Sequence, residues 1–135
     1  MTPTGTKGEA PLRSDHDIVL ARQLVRRITQ ELKFSLVDQT KMVTATSELA
    51  RNALIYGRGG MMHWEILTGD SRSGLKLLFA DQGPGIPNLD LAMTDGWTSG
   101  NGLGLGLSGA RRLVNDFEID TGPGRGTRVS VTRWK

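Results

Sequence analysis

Apolar residues recur at Ile18, Ala21, Val25, Ile28 and Leu32, while Arg22, Gln23, Arg26 and Gln30 fall between them. Steps of three and four put the apolar set on one helical face. Ser14-Asp15-His16-Asp17 ahead of it reads as a capping box. Lys33-Phe34-Ser35 breaks the pattern. A second helix is expected from about Leu36 to Tyr56, with Met42, Ala45, Leu49 and Ala53 inward, ended by Gly57-Arg58-Gly59-Gly60. The period then changes to two. Met62, Trp64 and Ile66 alternate with His63, Glu65 and Leu67, and Leu75 to Ala80 forms a more apolar run beyond a polar turn, so the pair predicts an antiparallel hairpin. Asp81 closes the second strand, and Gly83-Pro84-Gly85 turns the chain.

After a short helix expected over Asn88 to Thr94, a third main helix is predicted through Ala110, Leu113, Val114 and Phe117. Glu118 to Thr121 and Thr127 to Trp134 read as strands joined by a turn from Gly122 to Gly126. Residues 1–12 are polar and rich in Gly, Pro and Thr, and are expected to be a loosely ordered segment or at most a short edge strand. Residues 13–135 are expected to form one domain. The order of elements implies an α+β fold, with helices laid on one face of a mixed, mostly antiparallel sheet.

Composition narrows the classes. The 135 residues suffice for a single hydrophobic core, and no apolar run nears the roughly 20 residues that span a bilayer. No secretion-signal pattern opens the chain, and there are no cysteines for a disulfide framework or a thiolate site. The expectation is a cytoplasmic protein without a membrane partner. The net charge is +3, yet its arginines are scattered among acids, and the three Trp, one Tyr and three Phe form no stacking cluster. No nucleic-acid partner is expected. His16 and His63 lack metal spacing. Of 18 glycines, a dense group lies between Gly96 and Gly109.

Four short motifs carry the candidate chemistry. Glu48 and Asn52 lie four apart on the second helix, hence on one side of it; they can share a ligand, or they can be an ordinary surface pair. In Asp81-Gln82-Gly83-Pro84-Gly85 an acid sits at the mouth of a buried strand, where a carboxylate can accept from an exocyclic amine and glycines admit a flat ring. A strand-ending Asp with a Pro-Gly turn is the other reading. Gly100 to Leu107 alternates glycines ahead of a helix, which can expose backbone N–H groups to an anion; a flexible glycine loop is the other reading. Neither a dinucleotide fold nor a Walker A loop fits it, since the βαβ setting and the Gly-Lys-Ser/Thr ending are both missing. Gly122 to Thr127 is a tight turn that brings the Thr127 hydroxyl to a strand start.

Glu-x-x-x-Asn, Asp-x-Gly-x-Gly, a glycine-rich segment and Gly-x-Gly-Thr, in that order over residues 15–134, resemble the GHKL superfamily of ATPases and kinases. That superfamily includes DNA gyrase B, Hsp90, MutL and the histidine kinases. Glu48-Leu49-Ala50-Arg51-Asn52, Asp81 to Pro87 and Gly102 to Leu107 look most like its RsbT-type serine/threonine switch kinases and anti-sigma-factor kinases. The resemblance implies a two-layer α/β sandwich, the Bergerat fold, with ATP and Mg2+ as cofactors. It implies that Asn52 holds Mg2+, that Glu48 is catalytic at the attacking hydroxyl, and that Asp81 binds the adenine amino group. Gly83, Gly85 and Thr127 would lie near the base, and Thr98 with the Gly102, Gly104, Leu105 and Gly106 backbone would hold the phosphates.

The implied partners are STAS-domain antagonists as substrates, then a PPM-type phosphatase or a sigma-pathway output protein. One departure stands out: no Lys or Arg lies between Trp97 and Gly109, so the γ-phosphate has no local cation, and Arg51, Arg58 or a partner residue would have to supply it. A nucleotide-gated anti-sigma factor with little catalysis is therefore the rival expectation. A stand-alone histidine kinase fits poorly, because no helix bearing a phospho-accepting histidine is present.

Overall fold

The computed structural model describes residues 6–69, 71–83, 85, 106–122 and 124–135. Its elements are β1 (Lys7–Leu12), α1 (Asp15–Glu31), α2 (Leu36–Ile55), β2 (Gly60–Thr68), β3 (Ser73–Asp81), α3 (Gly106–Arg112), β4 (Asp116–Gly122) and β5 (Gly126–Trp134). The five strands form one sheet in the order β1-β2-β3-β5-β4. Every neighbouring pair is antiparallel. Of the two readings open for the N-terminal segment, residues 7–12 take the edge strand, paired with β2 from Lys7 opposite Glu65 to Leu12 opposite Gly60.

Strand alternation decides where the core lies. Met62 and Trp64 of β2, Leu75, Leu77 and Phe79 of β3, and Val129 and Val131 of β5 are all buried on one side of the sheet. The register sets Met62 and Val129 on either side of Phe79, and Trp64 and Val131 on either side of Leu77. The helices cover that side. Ile18, Ala21, Val25 and Ile28 of α1 and Met42, Ala45, Leu49 and Ala53 of α2 join the same cluster, and α2 packs against both α1 and α3. This is the two-layer α/β sandwich.

Local chemistry explains the helix ends. Ser14 Oγ accepts from the Asp17 N–H at 3.1 Å, and Asp17 Oδ2 accepts from the Arg13 N–H at 2.9 Å, so the cap reaches one residue further back than a standard box. At the other end of α1, Phe34 N–H donates to Thr29 O and Lys33 N–H to Gln30 O. That pair of bonds is a Schellman ending, with Lys33 at φ 63° in the position usually given to glycine. Helix α2 stops at Ile55, and the left-handed residues beyond it are Arg58 and Gly59.

One expectation is corrected. Phe117 lies in β4 opposite Val131, not on the third helix. Helix α3 ends at Arg112, and the Asn115 N–H is already bonded to Thr132 O of β5. Leu113 and Val114 fall in the turn between, so their helical spacing with Phe117 joins two different elements. Phe117 and Ile119 then follow strand parity, both packed against the core. The short helix expected over Asn88 to Thr94 lies outside the described residues. Among the described residues no helix is long and apolar enough to cross a membrane.

Candidate functional site

Asp81 continues the inward series Leu75, Leu77, Phe79 at the last position of β3, opposite Gly60 on one neighbour and Thr127 on the other. Parity therefore delivers a carboxylate to the helix side of the sheet, where it is only 9% exposed. Its Oδ1 accepts from the Gly83 N–H at 2.9 Å and the Thr127 N–H at 3.3 Å. Oδ2 accepts no hydrogen bond from a described residue and lies against Gly57. Burial holds the carboxyl above the usual range, and the two backbone N–H groups, from Gly83 and then Thr127, oppose that rise.

Glycine makes room around it. A Cβ on Gly57 would stand 2.5 Å from the Asp81 Cβ and from Oδ2, and one on Gly83 would stand 2.6 Å from the Gly57 Cα. Real Cβ contacts do not come that close, so the three residues interlock only because two have no side chain. A Cβ on Gly126, at φ 76°, would likewise clash with the Asp81 carbonyl. Gly85, at φ 82°, lies against the Gly122 backbone, which joins the Asp81 turn to the β4–β5 turn. Thr127 follows at the start of β5, its Oγ1 2.9 Å from Thr121 Oγ1.

The same contact ties the pocket to α2. Gly57 N–H and Tyr56 N–H both donate to Asn52 O, at 3.2 and 3.0 Å. Asn52 therefore lies one turn before the residue that packs on Asp81. Glu48 is a turn further back, about 6 Å along the axis. Both are half-buried at the border of the core face formed by Leu49 and Ala53. Going back along the chain from Gly57, where Asp81 packs, Asn52 and then Glu48 lie on the C-terminal half of α2. Among the described residues no three His, Cys, Asp or Glu side chains gather as a metal cage. Mg2+ takes one or two protein oxygens beside phosphates and water, and the half-buried Asn52 carboxamide fits that demand.

Of the remaining candidates, Gly106 is the first residue of α3, while Thr98, Gly102, Gly104 and Leu105 lie outside the described residues. Sequence reasoning missed Gly57, Gly60 and Gly126 as the glycines packed around Asp81. The run Gly57-x-Gly59-Gly60 so soon after Asn52 was the available signal, and it reads equally well as a helix terminator. Arg51 and Arg58 are both exposed.

Comparison with known proteins gives the family. Residues 37–135 match the family described as histidine kinase-, DNA gyrase B- and HSP90-like ATPase. The chain is 42% identical to the serine/threonine-protein kinase RsbT of Bacillus subtilis over 123 residues, covering 91% of this chain and 92% of that one. It is 29% identical to the anti-sigma F factor of Bacillus licheniformis, covering 84% of this chain and 81% of that protein. Among solved structures, the mycobacterial sensor histidine kinase MprB matches with a TM-score of 0.56 at 17% identity, over 94% of this chain and 96% of that one. That last likeness concerns the fold alone.

Proposed function

The chain belongs to the histidine kinase-, DNA gyrase B- and HSP90-like ATPase family, and we propose that it is an ATP-dependent serine/threonine protein kinase of a partner-switching module in the cytoplasm. Its substrates would be Ser or Thr hydroxyls on STAS-domain antagonists, and its released form would act on a PPM-type phosphatase or another output protein. The observation that carries the reading is the buried Asp81 acceptor set in glycine beside the Asn52–Glu48 turn of α2.

Each residue has a task that its surroundings suit. Asp81 Oδ2 accepts from the adenine amino group while Oδ1 stays pinned by Gly83 and Thr127. The nearby glycine backbone lets the ring lie flat against Gly83 and Gly85. The Asn52 carboxamide would supply the protein oxygen for Mg2+, which would offset phosphate charge when bound. Glu48 orients the protein hydroxyl and takes its proton as the phosphoryl group transfers. Thr98 and the backbone from Gly102 through Gly106 hold the phosphates.

Incubation with Mg-ATP and a STAS-domain partner is expected to place phosphate on a Ser or Thr of that partner. ATP binding without transfer to any of several such partners would overturn the kinase reading. The uncharged stretch from Trp97 to Gly109 and the anti-sigma F relatives favour a second reading, a nucleotide-gated binding module. Capture of a sigma factor that is indifferent to Glu48→Ala would support that one instead.

A further inference from the structure

Parity along β5 turns Val129, Val131 and then Arg133 toward the helices, so a guanidinium enters the apolar layer. Its side chain is 16% exposed, and Nη2 donates to Asp38 Oδ1 at 2.6 Å, that carboxylate being 26% exposed. Asp38 belongs to the first turn of α2, where its N–H also caps onto Ser35 Oγ. Nη1 donates to the Leu113 carbonyl at 3.1 Å, one residue past the end of α3. A single fork thus joins three elements: the start of α2, the end of α3 and the last strand. Two more bonds secure the same corner, from Asn115 N–H to Thr132 O at 2.9 Å and from Trp134 N–H to Asn115 Oδ1 at 2.7 Å.

Stability alone is a poor reason for this arrangement. A partly buried ion pair gives up hydration for its attraction, and apolar residues of similar volume usually pack as stably. Here Arg133 Nε is in addition buried without a partner among the described residues. What a fork supplies and a methionine cannot is a fixed position for two partners at once. Helix α3 needs such fixing. Its described part, Gly106–Arg112, buries Leu107, Ser108 and Ala110, while Leu113 and Val114 just past it are only partly buried. It begins at Gly106, the residue the motif sets at the phosphates, and packs on the same α2 that carries Asn52 and Glu48.

We infer that Arg133 is a positioning residue for phosphate binding, holding α3 against α2 through Asp38 and the Leu113 carbonyl. It touches no part of the nucleotide, and the inference rests on the nucleotide reading given above. The consequence is selective: contacts to the phosphates depend on Arg133, and contacts to the base at Asp81 do not.

The test compares the full chain with Arg133→Met and Arg133→Lys, titrating each with Mg-ATP and with adenosine. Arg133→Met is expected to weaken Mg-ATP roughly tenfold and to leave adenosine within about twofold. Arg133→Lys keeps a charge near Asp38 without the two-pronged fork, so it is expected to fall between wild type and Arg133→Met for Mg-ATP, again sparing adenosine. Hydrogen exchange at the amides of residues 107–113 should speed up in both variants, with β2 and β3 unchanged. Equal loss of both ligands, unchanged Mg-ATP affinity, or unchanged exchange in α3 would overturn the inference. Should Arg133→Met not fold, Arg133→Lys alone decides by the same readouts. Should wild type bind neither ligand, the nucleotide reading fails, while α3 exchange still decides whether Arg133 positions that helix.

Discussion

Asp81 holds an acceptor under opposing pressures, burial against ionisation and two backbone N–H groups in its favour, with burial the larger. A carboxyl whose pKa is raised on folding stabilises the fold least when ionised. Its unfavourable contribution grows as pH climbs from the ordinary carboxylate range through the raised value. Asp81→Asn keeps an oxygen for Gly83 and Thr127 and turns a donor toward the ligand. Its thermal midpoint near pH 7 is therefore expected to equal or exceed that of wild type, with the gap closing as pH falls below the ordinary carboxylate value. ATP affinity should drop about 10- to 100-fold, the scale of a hydrogen bond to a charged group, and titration calorimetry would read it. Gly57→Ala should act differently. Its new methyl has no space beside Asp81, so chemical denaturation is expected to show a loss of about 1–3 kcal/mol and nucleotide binding should weaken with it. Asp81 was legible as a candidate because a strand end and a Gly-Pro-Gly turn are local signals. The role of Gly57 was not, since the side chain it accommodates lies far along the sequence and meets it only through sheet and helix packing.

Elements were legible where one periodicity ran uninterrupted. Helices α1 and α2 and the β2–β3 hairpin follow their apolar spacing closely. The failure came where a short helix meets a strand, since Ala110 and Leu113 at helical spacing flow into Phe117 and Ile119 at strand spacing. The bond from Asn115 to β5, which no local pattern encodes, sets the boundary. The partly buried Asp38–Arg133 pair escaped notice likewise, because each residue reads as a solvated charge until β5 parity and the start of α2 bring them to 2.6 Å. The end of α1 yields a prediction of its own. Lys33 occupies a left-handed position at φ 63° with both Schellman bonds already made. Lys33→Gly is expected to raise unfolding stability by about 1 kcal/mol, because a non-glycine residue is strained there. A denaturant melt would show it as a higher midpoint at unchanged slope.

Across the whole molecule, the sandwich sets the C-terminal end of α2 beside the end of β3, and the proposed function places the base at Asp81, Mg2+ at Asn52 and the proton acceptor at Glu48. The proposed function gives Asp81 and Glu48 separable tasks: on it, binding depends on the first and transfer on the second. The most direct test is single-turnover transfer from radiolabelled Mg-ATP to a STAS-domain partner by wild type and Glu48→Ala, both at saturating nucleotide. We expect Ser/Thr phosphorylation by wild type, and a fall of about 100-fold or more in Glu48→Ala with ATP affinity retained, the scale of a lost general base. Transfer at equal rates by the two proteins would contradict the account.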